Sequence, residues 1–463
     1  MKKANLYLIF YSLLFSVIMV GCNRETDEPT PVKVRTVKDY SADITYAWNN
    51  HYFGIIKRTP GYRPPISARA LAHIGLAAYE AVAPGMKEYQ SIAGNFPTLK
   101  IPKIEVGKDY HWGVCANAAY LYSIRSYIQN INSSDFKKTD SIANVFFTKY
   151  KAECDTATFN RSKKFGEAVG NAVYLYSVED GQTQAFANNK PLDYLPPRGP
   201  DKWRSTAPDF LPALTPTWGR VRTFFAKVDA SQYKEPHMFS TEKTSAIYKE
   251  AVEVQSAVKN LTTESKWIAE FWSDDLHTYT IDAAGRWIAI ADAYMKEQKT
   301  DLETAIYVDA KMGILLHDAA VICWHEKYTF NYLRPATYIG DYIEGNWRSI
   351  LRDPTKPAGQ QIGVTPQHPS YPSGHSVFGQ AAAEILINAF GDKINFTDRT
   401  HEGETYFDGR PRTFTSFTQM SEENAYSRIP LGVHYRMDCV EGLRMGKIIG
   451  QKVNAVNWKK TLQ

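Results

Sequence analysis

After Val20 the chain has no apolar run near the roughly 18 residues that a membrane-crossing helix requires, so a polytopic membrane protein is not expected. Metal-type cysteine spacing such as C-x-x-C is also missing. Cys115, Cys154, Cys323 and Cys439 are scattered, which excludes a zinc ribbon and leaves buried small apolar residues, with at most one disulfide in an oxidising envelope. No internal repeat and no low-complexity segment is found. Neither sign of charge dominates, with 54 basic against 49 acidic residues and a formal charge of +5, so nothing calls for nucleic acid. Stretches that alternate as strands do are few.

What is present is an ordinary globular composition, 44% hydrophobic and 22% charged over 463 residues, enough for a large core in one or two domains. Apolar residues recur at three and four spacing over 66–83, 110–131, 160–178, the stretch ending ILLHDAAVICWHEKYTF, and the residues after Ser376. Proline-rich interruptions at 194–216 and 353–372 read as loops, the first dividing the helices into two batches. The expected fold is all-α, a helical bundle with long functional loops.

The N-terminus, MKKANLYLIFYSLLFSVIMVGCNRETDEP, has a basic start, an apolar run from Leu6 to Val20, then Gly21-Cys22 and a polar stretch. It reads as an export signal over 1–21. The cysteine after Gly21 resembles a bacterial lipobox, implying acylation of Cys22, a tether over 22–40, and a globular domain over 41–463 held at the cell envelope by its lipid.

Three blocks near the C-terminus carry chemistry. In KYTFNYLRP, Lys327 and Arg334 are seven residues apart, which predicts two cations near one face of a helix stopping at Pro335. In HPSYPSGHS, Ser373, Gly374 and His375 open a helix, where backbone N–H groups and the dipole favour an anion, although a serine before a helix also serves as a simple cap. In SRIPLGVHYRMD, Arg428 is followed by His434 and Asp438, spaced to face one another across one helical turn, so that the carboxylate can fix the imidazole tautomer. Cations on an otherwise buried helix are costly without an anionic partner.

The pattern K-x6-R-P, P-S-G-H, S-R-x5-H-x3-D resembles that of the type 2 phosphatidic acid phosphatase and vanadium-dependent haloperoxidase superfamily; its eleven fixed positions all match between Lys327 and Asp438. The resemblance implies a helical bundle of that type and a vanadate or phosphate site. Lys327, Arg334 and Arg428 would donate to oxyanion oxygens, with the Ser373 hydroxyl and the Gly374 N–H. His434 would be the axial vanadium ligand in a peroxidase, or the nucleophile forming phosphohistidine in a phosphatase, oriented by Asp438. His375 would be the acid–base group. Trp324 and His368 match residues near the halide pocket of haloperoxidases, and HPSYPSGH resembles the bromoperoxidases. Asp275 in FWSDD is a further partner for His375 by similarity, with Asp274 competing for that alignment.

The resemblance therefore implies a vanadate-dependent haloperoxidase that takes hydrogen peroxide and iodide or bromide. A soluble acid phosphatase is the alternative on the same site. A non-enzymatic, glycan-binding surface lipoprotein is a third reading, suggested by the anchor and by 10 Trp and 29 Tyr residues.

Overall fold

The structure, a computed structural model, describes residues 35–275, 278–353 and 356–460. The export signal and Cys22 lie outside the described residues. Val37 and Tyr40 are already buried against the core, so packing begins a few residues before position 41.

Two helices that are apolar on nearly every side form the centre, as expected where a helix is surrounded by others. One is α2 (Pro64–Val82), which follows α1 (Asp43–Arg58) and starts with proline in its first turn. α3 (Trp112–Tyr127), α4 (Ser133–Lys151) and α5 (Thr156–Val178) pack outside it. Then come α6 (Ala246–Lys259), α7 (Thr263–Phe271) and α8 (Gly285–Glu297), before the second central helix, α9 (Leu302–Phe330). Asp301 caps α9 by accepting from Thr304 N at 2.8 Å. The two central helices touch backbone to backbone: a β-carbon on Gly313 would lie 2.9 Å from Leu71 O, and one on Gly75 3.1 Å from Ala310 Cα. Only glycine permits that approach.

The long connection between α5 and α6 is held by one buried carboxylate. Asp318 on α9 accepts from the backbone N–H groups of Phe224, Phe225 and Ala226 at 2.7–2.8 Å, while burial raises it to about 7.

After α9 the chain forms α10 (Pro335–Tyr342), α11 (Gly374–Phe390), a two-stranded antiparallel sheet of β1 (Lys393–Asp398) and β2 (Arg412–Ser416), α12 (Phe417–Tyr426), α13 (Arg428–Leu431) and α14 (Arg436–Asn454). No described helix is long and apolar enough to cross a membrane. Cys115, Cys323 and Cys439 are buried thiols and Cys154 a half-buried one, all free.

Two local expectations need correction. Lys327 and Arg334 do not share a helix: α9 ends at Phe330, Asn331 turns into the left-handed region (φ 54°), and Pro335 opens α10 with Arg334 as its N-cap. Nor do His434 and Asp438 stand on one helical turn. His434 precedes α14, and Asp438 occupies its third position, where it accepts from Tyr435 N at 3.1 Å.

α11 and α14 bring the last two motif blocks together along a stripe of glycines. A β-carbon would lie 2.7 Å from Ser373 O at Gly442, 2.5 Å from Val377 O at Gly446, and 2.5 Å from Glu384 Cβ at Gly450. The obstructing atoms at the first two are backbone, which cannot step aside alone. Gly446→Ala is therefore expected to destabilise the protein by about 1–3 kcal/mol in denaturant unfolding; unchanged stability would show that α11 backs away freely.

Candidate active site

Lys327 lies in the last turn of α9, fully buried, and its ammonium finds no carboxylate partner among the described residues. It donates instead to the carbonyls of Pro369 (3.0 Å), Ser370 (2.9 Å) and Pro372. It thereby ties the loop before α11 to the end of α9. Desolvation lowers Lys327 to about 8, with Arg334 adding to the effect.

Arg334 is equally buried. Its guanidinium donates from Nε to His368 O (3.0 Å), from Nη1 to Val433 O (2.8 Å) and toward His434 Nε2 (3.3 Å), and from Nη2 to His368 Nδ1 (3.0 Å). Burial brings it down to about 10.

Arg428, at the start of α13, donates to Trp272 O (3.0 Å) and Ser273 O (3.2 Å) and pairs with Asp275. Its buried Nε has no hydrogen-bond partner. Arg428 holds Asp275 below the usual carboxylate range despite burial, which by itself would raise it. Of the two aspartates, Asp275 is the one at the site, but it pairs with Arg428, and the His375 ring bonds to Ser273 O instead. Asp274 lies 3.7 Å from His401, beside the buried pair of Arg286 and Asp398.

Ser373 is the N-cap of α11, and its N–H donates to Asp438 O at 2.9 Å, so the α11 N-terminus and the first turn of α14 are bonded directly. Gly374 follows as the first helical residue. The helix begins two residues earlier than Ser376, which puts His375 inside its first turn. His375 Nε2 donates to Ser273 O at 3.1 Å, since a carbonyl can only accept. Desolvation, then the charge of Arg428, lower His375 to about 3, so its ring is neutral, with Nδ1 as the acceptor nitrogen.

His434 is buried, and its Nδ1 donates to Asp438 Oδ2 at 2.8 Å. The same oxygen accepts from the Ser370 hydroxyl and from Tyr435 N. With its proton on Nδ1, the ring presents an unprotonated Nε2 toward Arg334. Burial first, then the surrounding cations, push His434 well below its ordinary value. Asp438 is raised to about 7 by burial, against the pull of Ser370 and Lys327.

All eight core motif residues (Lys327, Arg334, Ser373, Gly374, His375, Arg428, His434 and Asp438) thus line one buried region. Trp324 and His368 join it, their ring centroids 5.1 Å apart. Ser370 and the carbonyls under Lys327 were not singled out from the sequence. Ser370 sits inside HPSYPSGH, but only the fold reveals that its hydroxyl meets Asp438.

Chemically, the arrangement is a cradle for a tetrahedral anion. Three buried cations converge, yet among the described residues only Asp275 pairs with one of them directly. Because a cationic Lys327 is what an anion pairs with, phosphate affinity should hold between pH 7 and 8. It should then fall by about tenfold per pH unit as the lysine loses its proton. Calorimetric titrations across that range would measure it, and constant affinity up to pH 9.5 would contradict the assignment.

Residues 308–460 match the family model of the second helical-bundle domain of vanadium chloroperoxidase. The chain is 22% identical to the vanadium chloroperoxidase of Curvularia inaequalis, over 89% of this chain and 81% of that protein. Its fold is similar to the crystal structure described as the first bacterial vanadium-dependent iodoperoxidase, with a TM-score of 0.78, 27% identity, and coverage of 91% of this chain and 98% of that one. A holo-type bacterial vanadium-dependent chloroperoxidase shares the fold at TM-score 0.63 and 17% identity, covering 85% and 92%. With the eleven motif positions gathered at one buried site, these likenesses support for this chain the superfamily of vanadium-dependent haloperoxidases and type 2 phosphatidic acid phosphatases.

Proposed function

We propose that the protein is a vanadate-dependent haloperoxidase that uses hydrogen peroxide to oxidise iodide, and bromide less readily, to hypohalous acid. Halide, peroxide and one proton give hypohalous acid and water. The observation that carries this reading is the surplus of buried positive charge around the unprotonated Nε2 of His434. Burying a cation costs several kcal/mol unless an opposite charge compensates it. The unpartnered Nε of Arg428 and the carbonyl-only partners of Lys327 mark where that charge is missing.

The donor set fits vanadate. Lys327, Arg334, Arg428, the Ser373 hydroxyl and the Gly374 N–H would hold its oxygens, and His434 Nε2 would ligate the metal. When bound, vanadate supplies a Lewis acid that activates peroxide without changing its own oxidation state. The remaining work falls to the chain. Asp438 keeps the proton of His434 on Nδ1. His375, neutral with Nδ1 available, takes a proton from entering peroxide and returns it to the leaving oxygen. Its pKa rises once an anion offsets Arg428. Lys327 keeps a charged donor at the site below about pH 8. Trp324 and His368, with Arg334 behind them, form a partly apolar, positively biased wall suited to a large polarisable halide. The relative with 27% identity is named as an iodoperoxidase, and iodide is the easiest halide to oxidise, so iodide is placed first.

Phosphate-ester hydrolysis through His434 uses the same cradle; the paired rings of Trp324 and His368 favour the halide reading. A glycan-binding role is disfavoured, because nine tryptophans of the ten are buried and form no exposed stacking platform. We further propose that acylated Cys22 and the residues after it tether the domain to a bacterial envelope membrane. Incorporation of a labelled fatty acid that persists in Cys22→Ser would contradict this.

With orthovanadate, wild-type protein should oxidise iodide by hydrogen peroxide. His434→Ala should lose both oxidation and vanadate binding, and Asp438→Asn should bind vanadate about 10–100-fold more weakly. Phosphate-ester turnover suppressed by vanadate, with no halide oxidation, would instead establish the phosphatase.

A further inference from the structure

Halide and peroxide are small, yet a cavity of about 320 Å³ opens above the site, within the range that encloses an organic molecule. His368 and Asp275 stand in its lining, so one end reaches the oxyanion cradle. Tyr62, Trp203, Phe210 and Leu214 give it an aromatic and aliphatic interior. Phe210 is 65% exposed and holds a left-handed backbone (φ 45°), a strained conformation for a side chain of that size.

A second, shallower basin shares Lys57, Arg63 and Thr278 with this cavity and adds Arg58 and Lys190. Arg58 is engaged by Asp135. Lys57, Arg63 and Lys190 make no side-chain hydrogen bond or ion pair among the described residues. Burial lowers all three from their ordinary values, as it does for cations lacking a close counter-charge. The inner acids are otherwise occupied. Asp275 binds Arg428, Asp282 accepts from Ser67 Oγ (2.8 Å) and from the N–H groups of Ala284 and Gly285, and Asp274 is raised by burial to about 7. Asp209 and Asp353 also line the cavity, and their charges act on Lys190 and Arg63 respectively.

We propose that this cavity binds the halogen acceptor, an aromatic carboxylate whose acid group lies against Lys57, Arg63 and Lys190 and whose ring lies inside, next to His368. The chemistry rests on the haloperoxidase reading; the binding does not. For a phenolic acid, hypoiodous acid formed at the cradle meets the ring before it escapes. The O–I bond breaks as a C–I bond forms, the ring carbon loses its proton, and that proton leaves with the hydroxide as water. No oxidant beyond peroxide is consumed.

Calorimetric titration of vanadate-free, full-chain protein with 4-hydroxybenzoate and with its neutral methyl ester separates the two claims. The acid should bind at least tenfold more tightly than the ester. Arg63→Met and Lys57→Met should each weaken the acid about tenfold and leave the ester unchanged, which also reports that the cavity is intact. Lys190→Met, at a more open position, should give a smaller loss that high salt removes. Loaded enzyme should iodinate the acid with saturation, and the acid should outcompete the ester. Equal affinity for acid and ester, or no binding of either, would overturn the proposal. Selective binding by a protein that oxidises no halide would support the cavity assignment and overturn only the haloperoxidase reading.

Discussion

The geometry of this protein turns on three cations that are buried before any anion arrives. Lys327, Arg334 and Arg428 are fully enclosed, and their hydrogen bonds go largely to main-chain carbonyls. Carbonyl dipoles offset part of the desolvation cost but carry no net charge. The same bonds join segments far apart in the chain. Lys327 fixes residues 369–372 to the end of α9, Arg334 fixes them to Val433, and Arg428 fixes α13 to the turn after α7. The site is therefore held in shape by the chain's own carbonyls, which suits it to the oxyanion proposed above.

That preorganisation depends on packing with no side chain in the way. Gly442 and Gly446 let α14 settle on the backbone of α11, and the Ser373 N–H to Asp438 carbonyl bond closes the contact. His375 and His434 are thus positioned by one helix pair, so a shift of either helix would misplace both at once. The central pair, α2 and α9, supplies the rigid floor through its own glycine contacts. Helix packing, rather than a flexible loop, sets the distance between His375 and His434.

Much of this was legible in the sequence, and the misreadings have physical causes. The helices around 66–83 and in the second half of 302–330 are legible as helices from their three-and-four spacing of apolar residues, whereas their central position is seen only in the fold. Their ends are not legible in that spacing. The seven-residue spacing of Lys327 and Arg334 fits one helix face, but Asn331 accepts a left-handed turn and Pro335 suits a first turn better than a last one. His434 and Asp438 do meet, although through a helix cap rather than a helical turn. Ser370 and the carbonyls that hold Lys327 left no trace, because main-chain partners have no sequence signature. Asp275 and Asp274 could be told apart only once Arg428 and His401 had claimed one each.

The central claim is that the buried cations and His434 Nε2 form one vanadate site. A crystal structure of the protein grown with orthovanadate, with anomalous data collected at the vanadium edge, tests it most directly. A single strong anomalous peak is expected within coordination distance of His434 Nε2, enclosed by Lys327, Arg334, Arg428, Ser373 and Gly374. An empty cradle in crystals saturated with vanadate, or a peak elsewhere with His434 unligated, would contradict it.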